Sequence, residues 1–411
     1  MMTSRERILA AIDHREPDRL PIDCGAMRST GIQAVAYGRL KAYLGVKEGQ
    51  TRVFDVIQQL AEPEDFYLER FRVDAINAGR DFDPNGWKDW VLPDGSPCQI
   101  PRHIDFRPDN GDWVAVDAQG KELARMIAGS TYFSQTHYPF NRDDWPDLLD
   151  RIGGCMGEVC WGALAEPIYA GGLSDDNLER IAAHVARLRQ TTDKAIMIAF
   201  GANLFEWSAY LRRMDNALMD LAAELDKAEA LLDKLVETHL AGLDRLLPVL
   251  GDNVDLIQLG DDLGMEAGPF FSPELFRKIF KPRYKAIIDR VHTLAPNIRV
   301  FLHSCGSIYK LLGDLIEVGV QVINPVQISA RDMEPARLKK EFGKDVTFWG
   351  GGCDTQKVLP RGTPQEVRDH VRRNIDLLAP GGGFVFTQVH NILSEVPPAN
   401  IVAMYEEATK S

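Results

Sequence analysis

The sequence predicts an α/β protein built as a (β/α)8 barrel. Eight short apolar runs recur along the 411 residues, each ends in a polar or glycine-rich loop, and helical patterns lie between them. The runs are nearly continuous rather than alternating, which is typical of parallel strands that are covered on both faces. Eight alternations of strand and helix favour a closed barrel, and an open doubly wound sheet is the alternative.

The predicted strands and the helix starts follow in chain order. The strands occupy residues 20–24, 73–78, 195–200, 254–259, 298–303, 320–325, 346–350 and 384–389. Thr3 with Glu6, and Thr363 with Glu366, have the spacing of capping boxes, which predicts a helix start at each place. Ser272-Pro273 predicts another helix start, and Pro282 is expected to kink that helix.

One connection is too long for a single helix. Residues 80–190 separate the second predicted strand from the third, and Trp87–Tyr132 contains short alternating segments with turn signals between them. Such segments predict antiparallel hairpins. We therefore expect one barrel domain over residues 1–411, with a β-rich insertion after the second strand that covers the active site.

Composition and charge limit the partners and the compartment. The 47 basic and 60 acidic residues give a formal charge of −13, which argues against a nucleic-acid partner. No stretch approaches the roughly 18 consecutive apolar residues of a membrane helix, and no secretory signal precedes the first helix. The six cysteines show no disulfide-framework spacing and suit a reducing compartment. We expect a cytoplasmic protein.

Three residues at predicted strand ends suggest a metal site. His303 ends the fifth strand and Cys305 follows two positions later, so both side chains are expected on the same side. Cys353 follows three glycines just past the seventh strand, and these allow a tight turn that brings its thiol inward. One nitrogen and two sulfurs predict a zinc site with an open fourth position. The alternative is a buried histidine beside two unreactive cysteines.

Other strand ends supply candidate catalytic and binding groups. Asp261 follows the fourth strand together with Asp262, and such a pair can bind a metal, bond to its histidine, act as acid or base, or cap a helix. His390 and Asn391 end the eighth strand and can orient a substrate oxygen. Glu206, past the third strand, is a candidate fourth ligand or substrate contact, or a helix-start glutamate that the macrodipole favours.

The chain resembles the uroporphyrinogen decarboxylase superfamily over nearly its whole length. The segments that carry the resemblance are residues 3–7 through 18–21, 260–264 with 272–274, 303–306, and 390–392 followed by 396–401. The terminal His390-Asn391-Ile392 with Val396-Pro397-Pro398-x-Asn400-Ile401 is especially characteristic. This resemblance implies a (β/α)8 barrel, as the strand count also predicts.

Two chemistries occur in that superfamily. The decarboxylases use no metal and hold the carboxylates of the porphyrinogen with an arginine-rich loop after the first strand; here Cys24–Ser29 contains one arginine, Arg28. The other branch consists of zinc-dependent methyltransferases that work with corrinoid proteins. Their ligands correspond to His303, Cys305 and Cys353, so the resemblance favours this branch.

The length of the chain and its β-rich insertion resemble those of the first methyltransferase of O-demethylase systems. These enzymes move the methyl group of a methoxylated aromatic donor to the cob(I)amide of a corrinoid protein, which would require zinc here and cobalamin on the partner. Asp261 and His390 are then expected to be catalytic. Arg28, Glu206 and Asn391 are expected to contact the small-molecule donor.

Three alternatives remain at this point. A methylcorrinoid:thiol methyltransferase would use the same zinc ligands in the opposite direction. A metal-free decarboxylase would release carbon dioxide, and a non-catalytic corrinoid- or metal-binding protein would show no turnover. The resemblance also makes a homodimer an expectation.

Overall fold

The computed structural model describes residues 1–411, and its centre is one curved sheet of parallel strands. In sheet order the seven strands are Phe384–Val385, Thr347–Trp349, Val322–Asn324, Arg299–His303, Leu256–Gly260, Ala195–Gly201 and Ala75–Asn77. Strands that follow one another in the chain are neighbours in the sheet, as repeated right-handed crossovers require.

The barrel is closed by the segment around Ile22. Ile22 forms an isolated parallel bridge with Phe386, and the amide of Phe386 donates to the carbonyl of Pro21 at 2.9 Å. On the other side, the amide of Asp74 donates to the carbonyl of Ile22 at 2.7 Å. Pro21 has no N–H to offer, so the predicted first strand is reduced to this bridge. The eight-membered barrel that the sequence predicts is therefore confirmed.

Helices surround the barrel, and none combines the length and hydropathy that crossing a membrane requires. They are Ser4–Ile12, Ala34–Leu44, Asp65–Arg70, Ile152–Gly157, Cys160–Ala163, Asp175–Thr191, Phe205–Arg212, Met214–Ala223, Leu225–Leu250, Pro273–Leu275, Lys281–Leu294, Leu312–Glu317, Pro335–Phe342, Val358–Arg361, Pro364–Leu378 and Pro398–Ala408. Both predicted capping boxes are present, at Thr3 and at Thr363. Ahead of Pro282, a π-helical turn at Phe276–Phe280 interrupts the helix that the sequence predicts there.

The amino end of the barrel is blocked. Ile8 and Ile12 of the first helix pack in one buried cluster with barrel residues that include Met197, Phe301 and Trp349. Apolar side chains therefore fill the barrel interior at this end. The chemistry is left to the carboxyl ends of the strands, where the loops are longest.

The insertion is β-rich, as predicted. Trp87–Val91 pairs antiparallel with Pro97–Pro101, and a second sheet contains Asp105–Asp109, Asp112–Val116, Glu122–Met126 and Ser134–Gln135. Aromatic contacts join the two sheets: the ring of Trp90 packs against Phe106 and Trp113, and Phe106 stacks on Phe133. Two short antiparallel pairs lie elsewhere, Val53–Asp55 with Leu60–Ala61 and Gly264–Met265 with Gly268–Pro269.

A buried histidine supports the loop after the third predicted strand. His239 lies on the helix Leu225–Leu250, and its Nε2 donates to the carbonyl of Asn203 at 3.0 Å. Burial lowers the pKa of His239 to about 4. The folded state therefore resists the protonation that the unfolded chain undergoes near pH 6.5.

We predict that this group costs the protein stability in acid. The pKa of His239 is lower in the folded state than in the unfolded state, so protons bind preferentially to the unfolded chain. The contribution of neutral His239 to the free energy of unfolding is therefore complete above about pH 6.5 and is lost as the pH falls towards 4. His239→Gln keeps a donor for the Asn203 carbonyl but does not titrate. Between pH 6.5 and 4, the free energy of unfolding from urea titrations should fall by about 3 kcal/mol more in the wild type than in the variant. Parallel pH profiles would contradict this assignment.

Candidate metal centre and active site

A deep cleft opens at the carboxyl ends of the barrel strands. Its volume is about 800 Å³, and the segment between Gly153 and Leu173 of the insertion forms its roof. Its walls are rich in aromatic side chains, namely Tyr132, Phe133, Trp161, Tyr169, Phe200, Trp207 and Tyr210. The rings of Trp161 and Tyr210 stack with their centroids 5.4 Å apart. Such a cleft presents flat π surfaces to a flat ligand.

Three potential metal ligands meet at the base of this cleft. The ligand atoms of His303, Cys305 and His390 all lie within 4.8 Å of one another. The distance from His303 Nε2 to Cys305 Sγ is 3.4 Å. A tetrahedral zinc ion with Zn–N of about 2.0 Å and Zn–S of about 2.3 Å needs these atoms about 3.5 Å apart. The donor set therefore fits zinc in chemistry and in spacing.

The orientation of His303 is fixed from behind. Its Nδ1 donates to Asn324 Oδ1 at 2.6 Å, and Asn324 Nδ2 donates in turn to the carbonyl of Trp349 at 2.8 Å. Because the amide of Asn324 is held by that carbonyl, it must present its oxygen to the ring. The proton of His303 is thereby kept on Nδ1, and Nε2 is left free to bind a metal.

The other two ligands are in different protonation environments. Burial raises the pKa of the Cys305 thiol well above its usual value, and the charge of Asp262 adds to this effect. A bound divalent cation would reverse this effect and favour the thiolate. Burial, and after it the nearby His303 ring, lowers the pKa of His390 to about 4, so its imidazole is neutral and able to ligate.

The structure does not bring Cys353 into this group. Its backbone lies at the same end of the barrel, because its carbonyl accepts from the amide of Val389 at 2.9 Å, next to His390. Its thiol is fully buried in the main hydrophobic core and donates weakly to the Asp354 carbonyl at 3.9 Å. His390, predicted to be catalytic, occupies the third ligand place, and Cys353 remains a family-based prediction.

Asp261 supports a helix and is not positioned for catalysis. Its carboxylate accepts from the amides of Leu204, Phe205 and Glu206 at 2.6–2.8 Å and from the hydroxyl of Tyr284 at 2.5 Å. It therefore caps the helix Phe205–Arg212 across a distance of more than 50 residues in the chain. Its side chain is fully buried and does not line the cleft.

Three acidic residues line the cleft: Glu166, which pairs with Arg28, and Asp262 and Glu206, which lie together. Asp262 Oδ1 accepts from the amide of Cys305 at 2.8 Å and lies 3.6 Å from His303 Nε2. Glu206 accepts from Asn203 Nδ2 at 2.5 Å, from the Tyr210 hydroxyl at 2.6 Å and from the Asp262 amide at 3.0 Å. Burial, followed by the charge of Asp262, raises the pKa of Glu206 to about 8. Glu206 is therefore protonated at neutral pH.

The remaining predicted contacts have different positions. Asn391 is buried outside this cleft, where it accepts from the Gly31 amide at 3.0 Å and donates to Gln58 Oε1 at 2.7 Å. It holds a loop and is not free for a substrate in this cleft. Arg28 does line the cleft, with Nε between Asp55 at 2.9 Å and Glu166 at 3.0 Å.

Several residues of the site were not found from the sequence. Asn324 stands at the end of a predicted strand, and that position was the available signal for a histidine partner. The sequence indicates Asp262 only as the neighbour of Asp261. Trp161 belongs to the insertion and Tyr210 to the helix Phe205–Arg212, so no local pattern could reveal this ring pair.

We predict that the carboxylate of Asp261 stabilises the folded protein. Asp261→Asn places an amide N–H against backbone N–H groups that need an acceptor, and the free energy of unfolding should fall by about 3 kcal/mol. Asp262→Asn is the matched control, because it keeps its Oδ1 for Cys305 and is partly exposed. The measurement is urea denaturation of both variants. A fully stable but inactive Asp261→Asn would contradict the capping role.

Comparison with known proteins places the chain in a family. Among solved structures, a methyltransferase from Methanosarcina mazei shares the fold with a TM-score of 0.60 and 16% sequence identity, over 100% of this chain and 99% of that chain. No curated protein sequence matches the chain. The family model described as uroporphyrinogen decarboxylase (URO-D) matches residues 170–411. The chain therefore belongs to the uroporphyrinogen decarboxylase family.

Proposed function

We propose that this protein is a zinc-dependent methyltransferase that moves a methyl group from a methoxylated aromatic donor to the cob(I)amide of a corrinoid protein. The observation that carries the proposal is the cluster of His303, Cys305 and His390 at the base of an aromatic-walled cleft. The solved structure named a methyltransferase, which has the same fold, supports it. So do the motifs that resemble the methyltransferase branch of the family.

The cleft residues position the donor. An aryl ether has a flat ring, which the stacked pair Trp161 and Tyr210 and the neighbouring Trp207 can contact face to edge or face to face. Zinc held by the three ligands would act as a Lewis acid towards the ether oxygen.

Glu206 is placed to supply a proton to the departing oxygen. At neutral pH it holds a proton, and its Oε1 lies 2.6 Å from the hydroxyl of Tyr210, which lines the same cleft. Glu206 can give its proton to the Tyr210 hydroxyl oxygen while Tyr210 gives its own proton to the phenolic oxygen. The leaving group is then protonated, Tyr210 keeps one proton and Glu206 becomes a carboxylate. General acid catalysis of this kind helps a poor leaving group.

Arg28 is placed to bind an acidic substituent on the ring. Its Nε lies between Asp55 and Glu166, so these two contacts do not occupy its Nη groups, and the residue lines the cleft. The guanidinium also lies 5.7 Å from the centroid of the Trp161 ring. A ring that packs on Trp161 would therefore bring a carboxylate within reach of Arg28.

We predict that the protein purifies with about one zinc ion per chain when no metal is added. Cys305→Ala should lose this metal. His390→Ala and Cys353→Ala, measured beside it by mass spectrometry, identify the third ligand, and the observed cluster favours loss in His390→Ala. A folded, metal-free wild type would argue against the proposal and favour the decarboxylase alternative.

We also predict a specific loss of rate in Glu206→Gln. The variant keeps hydrogen-bonding atoms but cannot give up a proton, so kcat for conversion of cob(I)alamin to methylcobalamin with 4-methoxybenzoate should fall about 100-fold. The Kd of the donor should change little. Tyr210→Phe should reproduce the fall in kcat if the hydroxyl transmits the proton. A wild-type rate in Glu206→Gln would remove Glu206 from the mechanism.

A further inference from the structure

A small cavity lies beside the cleft, where the first two strands of the barrel end against the insertion. Its volume is about 20 Å³, which is room for one water molecule. Its lining includes Cys24 after the Ile22 bridge, Asn77 at the end of the next strand, and Glu166 of the insertion. The cavity therefore belongs to the wall between the barrel and the insertion.

This cavity shares one glutamate with each of two larger openings. Glu166 lines both the cavity and the cleft. Glu62 lines both the cavity and a pocket of about 500 Å³, here called the outer pocket, whose lining includes the exposed residues Glu48 and Asp65. The outer pocket, the cavity and the cleft therefore follow one another, with a carboxyl group at each junction.

One polar atom in the wall of the cavity lacks a protein partner. Asn77 Oδ1 accepts from the amide of Gly79 at 2.5 Å, which fixes the orientation of the side-chain amide. Asn77 Nδ2 is buried and makes no hydrogen bond to another protein group. A buried N–H without an acceptor is costly, and a bound water molecule removes that cost where the site is polar and has space.

Glu62 is suited to exchange protons with the solvent. Burial, followed by the charge of Asp81, raises the pKa of Glu62 to about 7, although the charges of Arg80 and Arg52 oppose the rise. Its Oε1 accepts from the amide of Asp81 at 3.0 Å, which holds the side chain in place. At neutral pH Glu62 therefore populates both of its protonation states.

Glu166 is suited to carry a proton into the cleft. Burial raises its pKa, with a further contribution from the charge of Asp55, while the charge of Arg28 opposes the rise. Its Oε1 accepts from Arg28 Nε at 3.0 Å, and this bond uses one of its two carboxylate oxygens. The same side chain thus faces Arg28 and lines both openings.

The proposed reaction creates a demand for such a route. Glu206 gives up one proton in each turnover, and the phenol that is formed still fills the cleft at that moment. A proton that arrives through the cavity restores Glu206 before the product leaves.

We propose that the cavity holds one water molecule, bound by Asn77 Nδ2, Glu62 and Glu166, and that this water relays protons from the outer pocket to the cleft. The inference rests on the function proposed above. A proton from the solvent binds Glu62, and Glu62 gives a proton to the water while the water gives one to Glu166. Glu166 then releases its proton to water in the cleft, from which Glu206 takes it. Every group of the relay returns to its starting state, and one proton has crossed.

A crystal structure that shows ordered waters tests the first part. The expected result is a water in the cavity within hydrogen-bond distance of Asn77 Nδ2 and of both carboxylates. A cavity without water, or a water that contacts only one of the two glutamates, would overturn the inference.

The kinetic experiment compares Glu62→Gln with Glu48→Gln. Glu62→Gln keeps an acceptor for the Asp81 amide but cannot carry a proton. Glu48→Gln makes the same change at an exposed position of the outer pocket that does not line the cavity. The cleft is filled with 4-methoxybenzoate in the absence of a methyl acceptor, and the pH is lowered rapidly from about 10 to 7, across the pKa of Glu206. Time-resolved infrared spectroscopy follows the band of protonated Glu206, which is identified by its absence in Glu206→Gln.

The relay predicts a slow variant only when the cleft is filled. Glu206 should gain its proton about tenfold more slowly in Glu62→Gln than in the wild type or in Glu48→Gln. With an empty cleft the three proteins should agree, because water in the cleft then supplies the proton. Equal rates with the cleft filled would overturn the relay. A rate that is equally slow in the filled and the empty cleft would do the same, because it indicates a structural effect.

The outcomes also separate this inference from the proposed function. The pH jump needs no methyl transfer, so a slow Glu62→Gln in a protein that demethylates nothing supports the relay and removes the proposed reaction. Normal turnover together with equal rates in the pH jump removes the relay and leaves the proposed function in place.

Discussion

The hydrogen bond from His303 Nδ1 to Asn324 Oδ1 fixes the histidine ring on which the candidate metal site depends. Through Asn324 and the Trp349 carbonyl it links the ends of three adjacent strands. Asn324 is itself fixed by the Trp349 carbonyl, so the imidazole has one tautomer and one orientation. Cys305 then stands 3.4 Å from Nε2 because the chain leaves the strand immediately after His303. The ligand atoms of Cys305 and His390 lie within 4.8 Å of one another and of His303. A site on rigid strand ends keeps its spacing more accurately than one built only on loops.

Negative charge collects around that point in a way that favours a bound cation. Asp262 lies beside Cys305, and its charge adds to burial in raising the pKa of the Cys305 thiol. The single arginine of the cleft, Arg28, is already paired with two carboxylates. A divalent ion would compensate this charge locally and bring the thiol to its ligating form. The electrostatics and the ligand geometry thus favour the same occupant.

The insertion gives the cleft at the barrel mouth the aromatic surfaces that can select a ligand. The insertion adds a roof and aromatic walls over the first half of the barrel. The insertion therefore supplies ring surfaces beside the candidate ligands that the barrel strand ends provide. Loop variation over a constant barrel is the usual way in which this fold acquires specificity.

The sequence by itself determined the barrel, the capping boxes, the β-rich insertion and the pairing of His303 with Cys305, because these depend on apolar periodicity and short spacings along the chain. Only the tertiary structure decided which of Asp261 and Asp262 faces the cleft, since successive residues point in opposite directions and one half-turn of backbone exchanges them. It likewise placed His390, and not Cys353, beside the other ligands. The stacked rings of Trp161 and Tyr210 also required it, because long-range packing brings those two segments together and no local pattern encodes such a contact.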